Sequence, residues 1–170
     1  MILFLCTGNA TRSVLAGAAL RARVPDLEVA TAGTLTIDGL PMSWRTRAGF
    51  ESVGLARPDH RSRQAVAADV DAATLVVGLA PEHVEWVRRE HPAAAPRTGT
   101  LKRVAHDLAA DRRPLAGRVA ELGLADVVLA DWEEVIDPAG GDVEAFTACA
   151  AEVVALVDAL APRLRPNPEV

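Results

Sequence analysis

The chain has 170 residues, of which half are hydrophobic and 24% are charged, and its net charge is −5. This size and balance predict one globular domain, residues 1–170, with a core of its own. The negative charge argues against nucleic acid as a partner, and the apolar runs are too short to cross a membrane. Because Cys6 and Cys149 are the only cysteines, a disulfide framework is excluded and a cytoplasmic protein is expected.

Strand and helix patterns alternate along the chain. Apolar runs bounded by turn residues predict four strands, at residues 2–5, 27–31, 74–79 and 97–101. Periodic apolar patterns predict helices at residues 13–23, 42–53, 82–89 and 142–164. This order is typical of an α/β fold, in which a four-stranded parallel sheet is flanked by helices on both faces. Residues 165–170 contain two prolines and are expected to form a loose tail.

The loop after the first strand carries the chemistry, because ligands of parallel sheets bind at the carboxyl ends of the strands. It consists of Cys6, Thr7, Gly8, Asn9, Ala10, Thr11, Arg12 and Ser13. Gly8 and Asn9 tolerate left-handed backbone angles, so the loop can turn its N–H groups inward as an anion-binding nest. The following helix N-terminus and the Arg12 guanidinium add positive charge, which favours a nucleophilic thiolate at Cys6. In the simpler alternative, Cys6 is a buried strand residue and Arg12 a surface charge.

The motif Cys-x-Gly-Asn-x-x-Arg-Ser resembles the phosphate-binding loop of the low-molecular-weight protein tyrosine phosphatases. That family includes bacterial protein arginine phosphatases and thioredoxin-coupled arsenate reductases. Its general acid belongs to an Asp-Pro pair before the last long helix, and Asp137-Pro138 stands there, 131 residues after Cys6. The segments at residues 31–34 and 60–63 are also similar to the family pattern. The resemblance extends over most of residues 1–104 and 135–164.

The resemblance implies a cysteine-dependent phosphatase, a hydrolase that acts through a phosphocysteine intermediate. Cys6 would attack phosphorus, Arg12 and the amides from Thr7 to Ser13 would hold the phosphoryl oxygens, and Asp137 would protonate the leaving group. No metal or other cofactor is expected, since the cradle itself supplies the positive field. The expected substrate is a phosphorylated protein, carrying phosphotyrosine or phosphoarginine, or a small phosphoester.

The residues expected at the pocket mouth depart from the family pattern. Tyrosine phosphatases of this family have one or two aromatic residues after Asp-Pro, whereas Ala139-Gly140-Gly141 follows here. Ala10 occupies a position that is bulky and apolar in tyrosine phosphatases and threonine in arginine phosphatases. Trp44 is a candidate replacement wall, or else a helix residue packed on the core. Thr11 takes the place of the second cysteine that protects the nucleophile in some members.

The segment at residues 112–134 is longer than the family usually carries. It contains a candidate short helix at residues 115–124 and leads directly to Asp137. One hypothesis makes it a flap over the pocket mouth, and the alternative is a surface excursion. The four histidines show no metal spacing and are interpreted as surface or loop residues.

Two other functions stay open at this point. Arsenate fits the same cradle, but Cys149 falls among core positions of the last helix, so an arsenate reductase would need an external thiol. A phosphate- or phosphopeptide-binding module with little turnover is also conceivable without an aromatic wall. Retention of Cys6, Arg12 and Asp137 argues against such a module, because a mere binder needs neither a thiolate nor an acid.

Overall fold

Four parallel strands form one sheet in the order β2-β1-β3-β4. The computed structural model describes residues 1–164, so the tail expected at residues 165–170 lies outside the described residues. The strands are β1 (Ile2–Cys6), β2 (Val29–Gly33), β3 (Leu75–Gly78) and β4 (Thr98–Thr100). The helices are α1 (Arg12–Arg23), α2 (Trp44–Ser52), α3 (Ala67–Ala72), α4 (Pro81–Glu90), α5 (Leu101–Asp107), α6 (Leu115–Ala120) and α7 (Val143–Leu164). Short 3-10 turns lie at Pro92–Arg97 and Asp131–Glu133.

Helices cover both faces of the sheet, which confirms the predicted α/β class. Ile2 and Phe4 point to the face covered by α1, α5 and α7, where the larger core cluster lies. Leu3 and Leu5 point to the other face, covered by α3 and α4. Side chains alternate between the two faces of a strand, so a strand buried on both sides is continuously apolar, as β1 is.

The strand β1 lies inside the sheet, and its last residue lies at the carboxyl edge. Cys6 is in register with Gly33 of β2, and Leu5 is in register with both Ala32 of β2 and Gly78 of β3. The loop that connects β1 to α1 therefore emerges between the ends of two neighbouring strands. This is the crevice in which ligands of open α/β sheets bind.

Two short helices were not predicted, and α2 begins two residues later than predicted. The helices α3 and α5 have six and seven residues, which is too short for a periodic apolar pattern to stand out. Helix α2 begins at Trp44 because the Ser43 hydroxyl accepts a hydrogen bond from the Thr46 N–H and caps the helix.

The extra segment at residues 112–134 is not a flap over the phosphate loop, contrary to that hypothesis. Its helix α6 packs against the turn Pro92–Arg97 and faces residues that precede β3 and β4, such as Thr74. Those residues lie at the amino edge of the sheet, opposite Cys6. The buried Arg118 holds α6 there by donating to the carbonyls of Ala109 and Arg163. The segment carries the chain from one edge of the sheet to the other.

The end of this segment is anchored beside the site. The buried Glu133 accepts hydrogen bonds from the Thr100 hydroxyl (2.7 Å) and from the Arg103 guanidinium. Two residues later, the Val135 N–H donates to the Leu79 carbonyl at the end of β3. These contacts direct the chain towards Asp137 at the carboxyl edge.

No helix within residues 1–164 combines the length and the apolar character that a membrane crossing requires.

Candidate active site

The loop from Cys6 to Ser13 forms a cradle at the carboxyl edge of the sheet. Cys6 is buried, and its Sγ lies 3.0 Å from the Ser13 Oγ. Asn9 has a φ of +47°, a left-handed angle that asparagine adopts more readily than most residues. Its side-chain amide donates to the hydroxyls of Ser13 and Thr31, each at 3.1 Å. Asn9 thus fixes the curvature of the loop and holds the hydroxyl next to the sulfur.

The peptide carbonyls of this loop are held on its outer side. The carbonyl oxygens of Cys6 and Thr7 accept from the N–H groups of Thr34 and Leu35, at 2.9 and 3.0 Å. The Gly8 carbonyl accepts from the Thr36 hydroxyl at 2.8 Å. Because a peptide N–H points away from its own carbonyl, the loop N–H groups turn towards the interior of the cradle. This arrangement is an anion-binding nest.

Gly33 explains why the family-like segment at residues 31–34 carries a glycine. A Cβ atom at Gly33 would lie 2.6 Å from the Thr7 carbonyl oxygen and 3.1 Å from the Asn9 nitrogen. Only glycine lets β2 approach the loop this closely.

On the other side of the loop, His60 Nε2 lies 2.7 Å from the Asn9 carbonyl oxygen. His60 lies in a loop, as expected, and supports the phosphate loop through this contact.

Arg12 and Asp137 meet at the mouth of the cradle. The Arg12 side chain is only 2% exposed, and its Nη1 donates to the Val135 carbonyl at 3.0 Å. Its Nη2 donates to the Asp137 Oδ2 at 2.5 Å. Asp137 is 43% exposed, so it stands between the buried guanidinium and solvent. The fold thus brings the predicted cation and the predicted acid into contact across 125 residues of sequence.

The first turn of α4 adds two residues that the sequence analysis missed. His83 Nε2 and the Glu82 carboxylate each lie 3.1 Å from the Thr7 hydroxyl. His83 is fully buried, which corrects its interpretation as a surface or loop residue. Burial and the nearby charge of Arg12 lower the pKa of His83 to about 3. The available signal was the position of these residues just after β3, at the same edge as the phosphate loop.

The candidate rim residues are all exposed. Ala10 and Ala139 are exposed, and Trp44 is 58% exposed at the first position of α2. A 2.8 Å hydrogen bond between the hydroxyls of Thr11 and Thr46 ties that end of α2 to the loop. The exposure of Trp44 is inconsistent with the alternative that its ring packs on the core.

The glycine pair after Ala139 is explained by the backbone. Gly140 has a φ of +82°, and a Cβ atom at Gly141 would lie 2.8 Å from the Ala145 Cβ. Both positions therefore favour glycine whichever substrate binds.

The second cysteine is buried in α7. Burial raises the pKa of the Cys149 thiol to about 12. The described part of the chain also contains no group of three or more His, Cys, Asp or Glu side chains that could hold a metal ion.

Three comparisons with known proteins identify the family of this chain. The family model "Low molecular weight phosphotyrosine protein phosphatase" matches residues 1–115. A protein-arginine-phosphatase of Geobacillus stearothermophilus is 29% identical over 165 residues, which are 96% of this chain and 95% of that protein.

Solved structures share the fold over nearly the whole chain. The YwlE arginine phosphatase from Geobacillus stearothermophilus is 29% identical, with a TM-score of 0.75 over 96% of this chain and 91% of its own. A low molecular weight protein tyrosine phosphatase from T. tengcongensis is 26% identical, with a TM-score of 0.76 over 96% and 98%. Since the family model spans 115 of 170 residues, the resemblance stated from the loop motif is confirmed. The chain belongs to the low molecular weight phosphotyrosine protein phosphatase family and is a cysteine-dependent phosphatase.

Proposed function

We propose that this chain is a protein phosphatase that removes phosphate from phosphoarginine residues. Cys6 acts as the nucleophile, Arg12 binds the phosphoryl group, and Asp137 acts as the general acid and base. The observation that carries the proposal is the contact between Arg12 Nη2 and Asp137 Oδ2 at the mouth of the Cys6 loop. A nucleophile, a phosphate-binding cation and a proton donor converge there.

In the first step, the Cys6 thiolate attacks phosphorus in line with the bond to the guanidino nitrogen. The S–P bond forms while the P–N bond breaks, and Asp137 gives its proton to the leaving nitrogen. Arg12 and the inward N–H groups of the loop stabilise the equatorial oxygens as their charge rearranges. The Ser13 hydroxyl, 3.0 Å from the sulfur, stabilises the thiolate before attack and after its release.

In the second step, water attacks the phosphorus of the phosphocysteine. Asp137, now a carboxylate, accepts a proton from this water while the S–P bond breaks. The products are inorganic phosphate and the Cys6 thiolate. Asp137 is partly exposed, so it can leave Arg12 to donate a proton to the leaving group and later to accept one from water. Arg12 stays in place because it also donates to the Val135 carbonyl.

The charge at the mouth favours a guanidinium leaving group over a phenol. Asp137 contacts Arg12 Nη2 directly, and Glu82 contacts the Thr7 hydroxyl that the same nitrogen approaches at 3.5 Å. A phosphorylated guanidinium has N–H donors that pair with carboxylates, whereas a phenyl ring has none. A relative that is 29% identical over 96% of this chain is likewise named a protein-arginine-phosphatase.

Trp44 is compatible with a phosphoarginine substrate. The Arg45 guanidinium already stacks on its ring, with the Cζ atom 5.3 Å from the ring centroid. Trp44 therefore offers a face on which the guanidinium of a substrate can also stack.

The test compares two peptides of identical sequence, one with phosphoarginine and one with phosphotyrosine at the same position. The expected result is a higher kcat/KM for the phosphoarginine peptide, with no turnover of either by the Cys6→Ser variant. A higher kcat/KM for the phosphotyrosine peptide would transfer the proposal to tyrosine and leave the cysteine chemistry intact. No turnover of either by the folded wild type would contradict the phosphatase itself.

The burial of Cys149 argues against an arsenate reductase that would resolve its intermediate with a thiol of this chain. A pKa near 12 leaves almost no Cys149 thiolate at neutral pH to resolve an intermediate on Cys6. Both cysteines are free and buried, which fits the reducing cytoplasm that we propose as the location.

A further inference from the structure

A fully buried histidine lies directly behind the phosphate loop. His83 has no exposed surface, and its Nε2 lies 3.1 Å from the Thr7 hydroxyl. Its Nδ1 is one of two buried side-chain nitrogen or oxygen atoms in residues 1–164 that have no hydrogen-bond partner. A buried nitrogen without a hydrogen-bond partner has lost its bond to water and gained none in return. The ring is therefore held here at some cost to the stability of the fold.

The Thr7 hydroxyl connects His83 to the catalytic arginine. Thr7 Oγ1 contacts His83 Nε2 at 3.1 Å and accepts from Arg12 Nη2 at 3.5 Å. It also donates to the Glu82 carboxylate at 3.1 Å. Thr7 directly follows the nucleophile Cys6, so a rotation of its side chain alters the partners of Arg12 at the point where phosphate binds.

His83 can perform this task without disturbing the charge of the cradle. Burial and the charge of Arg12 lower its pKa to about 3, so the ring is neutral at any pH near neutrality. A neutral imidazole neither repels Arg12 nor competes with it for phosphate. Because the Thr7 hydroxyl gives its one proton to Glu82, it accepts from His83 in the tautomer that carries the proton on Nε2.

The glycine at the end of β3 leaves room for the His83 side chain. A Cβ atom at Gly78, the last residue of β3, would lie 3.0 Å from the His83 Cβ. The first turn of α4 can therefore approach the end of the sheet, and this brings His83 to the loop.

We propose that His83 is a positioning residue of the phosphatase reaction. It orients the Thr7 side chain and, through it, the Nη2 end of Arg12 for binding the phosphoryl oxygens. This role goes beyond the proposed function, because it applies to any phosphorylated substrate that enters the cradle.

The first experiment replaces the ring nitrogens and then restores one. His83→Phe keeps a ring but removes the bond to Thr7, and kcat/KM for para-nitrophenyl phosphate is expected to fall about tenfold. Inhibition by inorganic phosphate is expected to weaken in parallel, because the same arginine geometry binds it. His83→Gln places an amide near the Nε2 position and is expected to recover most of both losses. His91→Phe, beyond the opposite end of α4, is the matched control and is expected to change neither.

The second experiment separates positioning from a purely structural role. If His83 acts through Thr7, combining His83→Phe with Thr7→Val loses no more activity than the larger single loss, whereas a structural role gives additive losses. The rate at which iodoacetamide alkylates Cys6 is expected to stay within about twofold of wild type, since Ser13 still faces the sulfur.

Two outcomes would overturn the proposal. One is a folded His83→Phe variant whose kcat/KM and phosphate inhibition stay within about twofold of wild type. The other is additivity with Thr7→Val. Should the phenylalanine variant fail to fold, His83→Gln and His83→Asn give the same test, because only glutamine extends to the Nε2 position. Equal activity of these two variants would then contradict the role.

Discussion

The Arg12 guanidinium links the phosphate loop to the acid loop. One terminal nitrogen is bonded to the Val135 carbonyl at 3.0 Å, and the other is bonded to the Asp137 carboxylate at 2.5 Å. A planar fork makes these bonds from two nitrogens at a fixed angle, whereas an ammonium group would have to make both from one nitrogen on a flexible stem. The residue that binds the substrate phosphate therefore also fixes where the general acid stands.

This double role predicts that Arg12→Lys is not a conservative change. The lysine keeps the charge but loses the fork, so we expect kcat/KM for para-nitrophenyl phosphate to fall by about a thousandfold. Arg88→Lys is the matched control, because Arg88 also donates to two backbone carbonyls, those of Leu124 and Val127, away from the cradle. A comparable loss of kcat/KM in Arg88→Lys would attribute the effect to folding instead.

Asp137→Asn is predicted to affect substrates according to their leaving groups. The amide retains the shape of the carboxyl group but cannot donate the proton in the first step. Loss of a general acid costs about 10²- to 10⁴-fold, and we expect a loss in this range for phenyl phosphate. Nitrophenolate leaves without much help, so the loss on para-nitrophenyl phosphate should be clearly smaller. Equal losses on the two substrates would show that Asp137 positions groups rather than donating a proton.

Glu82→Gln is predicted to reduce the preference for phosphoarginine. The substitution keeps the bond from Thr7 but removes the negative charge at the mouth. We expect the ratio of kcat/KM for phosphoarginine over phosphotyrosine peptides to fall about threefold to tenfold, as the loss of one partly exposed charge contact would cause. Glu85→Gln removes an exposed carboxylate from the same helix and should leave the ratio unchanged. An unchanged ratio in Glu82→Gln would exclude Glu82 from substrate choice.

Glu133 is predicted to stabilise the fold in a pH-dependent way. Burial alone would raise its pKa, but hydrogen bonds from Arg103 and Thr100 together hold the pKa below the usual 4.5. A carboxyl with a lower pKa in the folded state stabilises at neutral pH, and this stability is lost as the pH falls below about 4.5 towards the folded pKa. Glu133→Gln should therefore lower the free energy of unfolding by about 2 kcal/mol at neutral pH.

Urea unfolding at neutral pH and at about pH 3.5 tests this pH dependence. The loss in free energy of unfolding that Glu133→Gln causes should be smaller at about pH 3.5 than at neutral pH. Glu134→Gln is the matched control, because Glu134 is the exposed neighbour. A loss in free energy of unfolding that is larger in acid would contradict the stabilising role of ionised Glu133.

The sheet and the phosphate loop could be predicted because their signals are local. The apolar run of β1, the turn residues Gly8 and Asn9, and the periodic stripe of α7 all lie within short stretches of sequence. The meeting of Asp137 with Arg12 could be anticipated only through the family resemblance, since 125 residues separate them.

The remaining features depend on long-range packing. The path of residues 112–134 depends on the bonds from Arg118 to two distant carbonyls, which no local pattern reveals. His83 was missed because one histidine in a first helical turn is ordinarily solvent-exposed. Its burial depends on how closely the glycine that ends β3 lets α4 approach.

The central claim, a phosphoenzyme formed on Cys6, is tested most directly by trapping it. The Asp137→Ala variant lacks the base for the second step, so an intermediate formed from para-nitrophenyl phosphate labelled with radioactive phosphorus should accumulate. Rapid denaturation followed by peptide mapping should then find the label on the peptide that contains Cys6. The label should be absent when Cys6→Ala is combined with Asp137→Ala. Label on another residue, or full turnover of para-nitrophenyl phosphate by Cys6→Ala, would contradict the account.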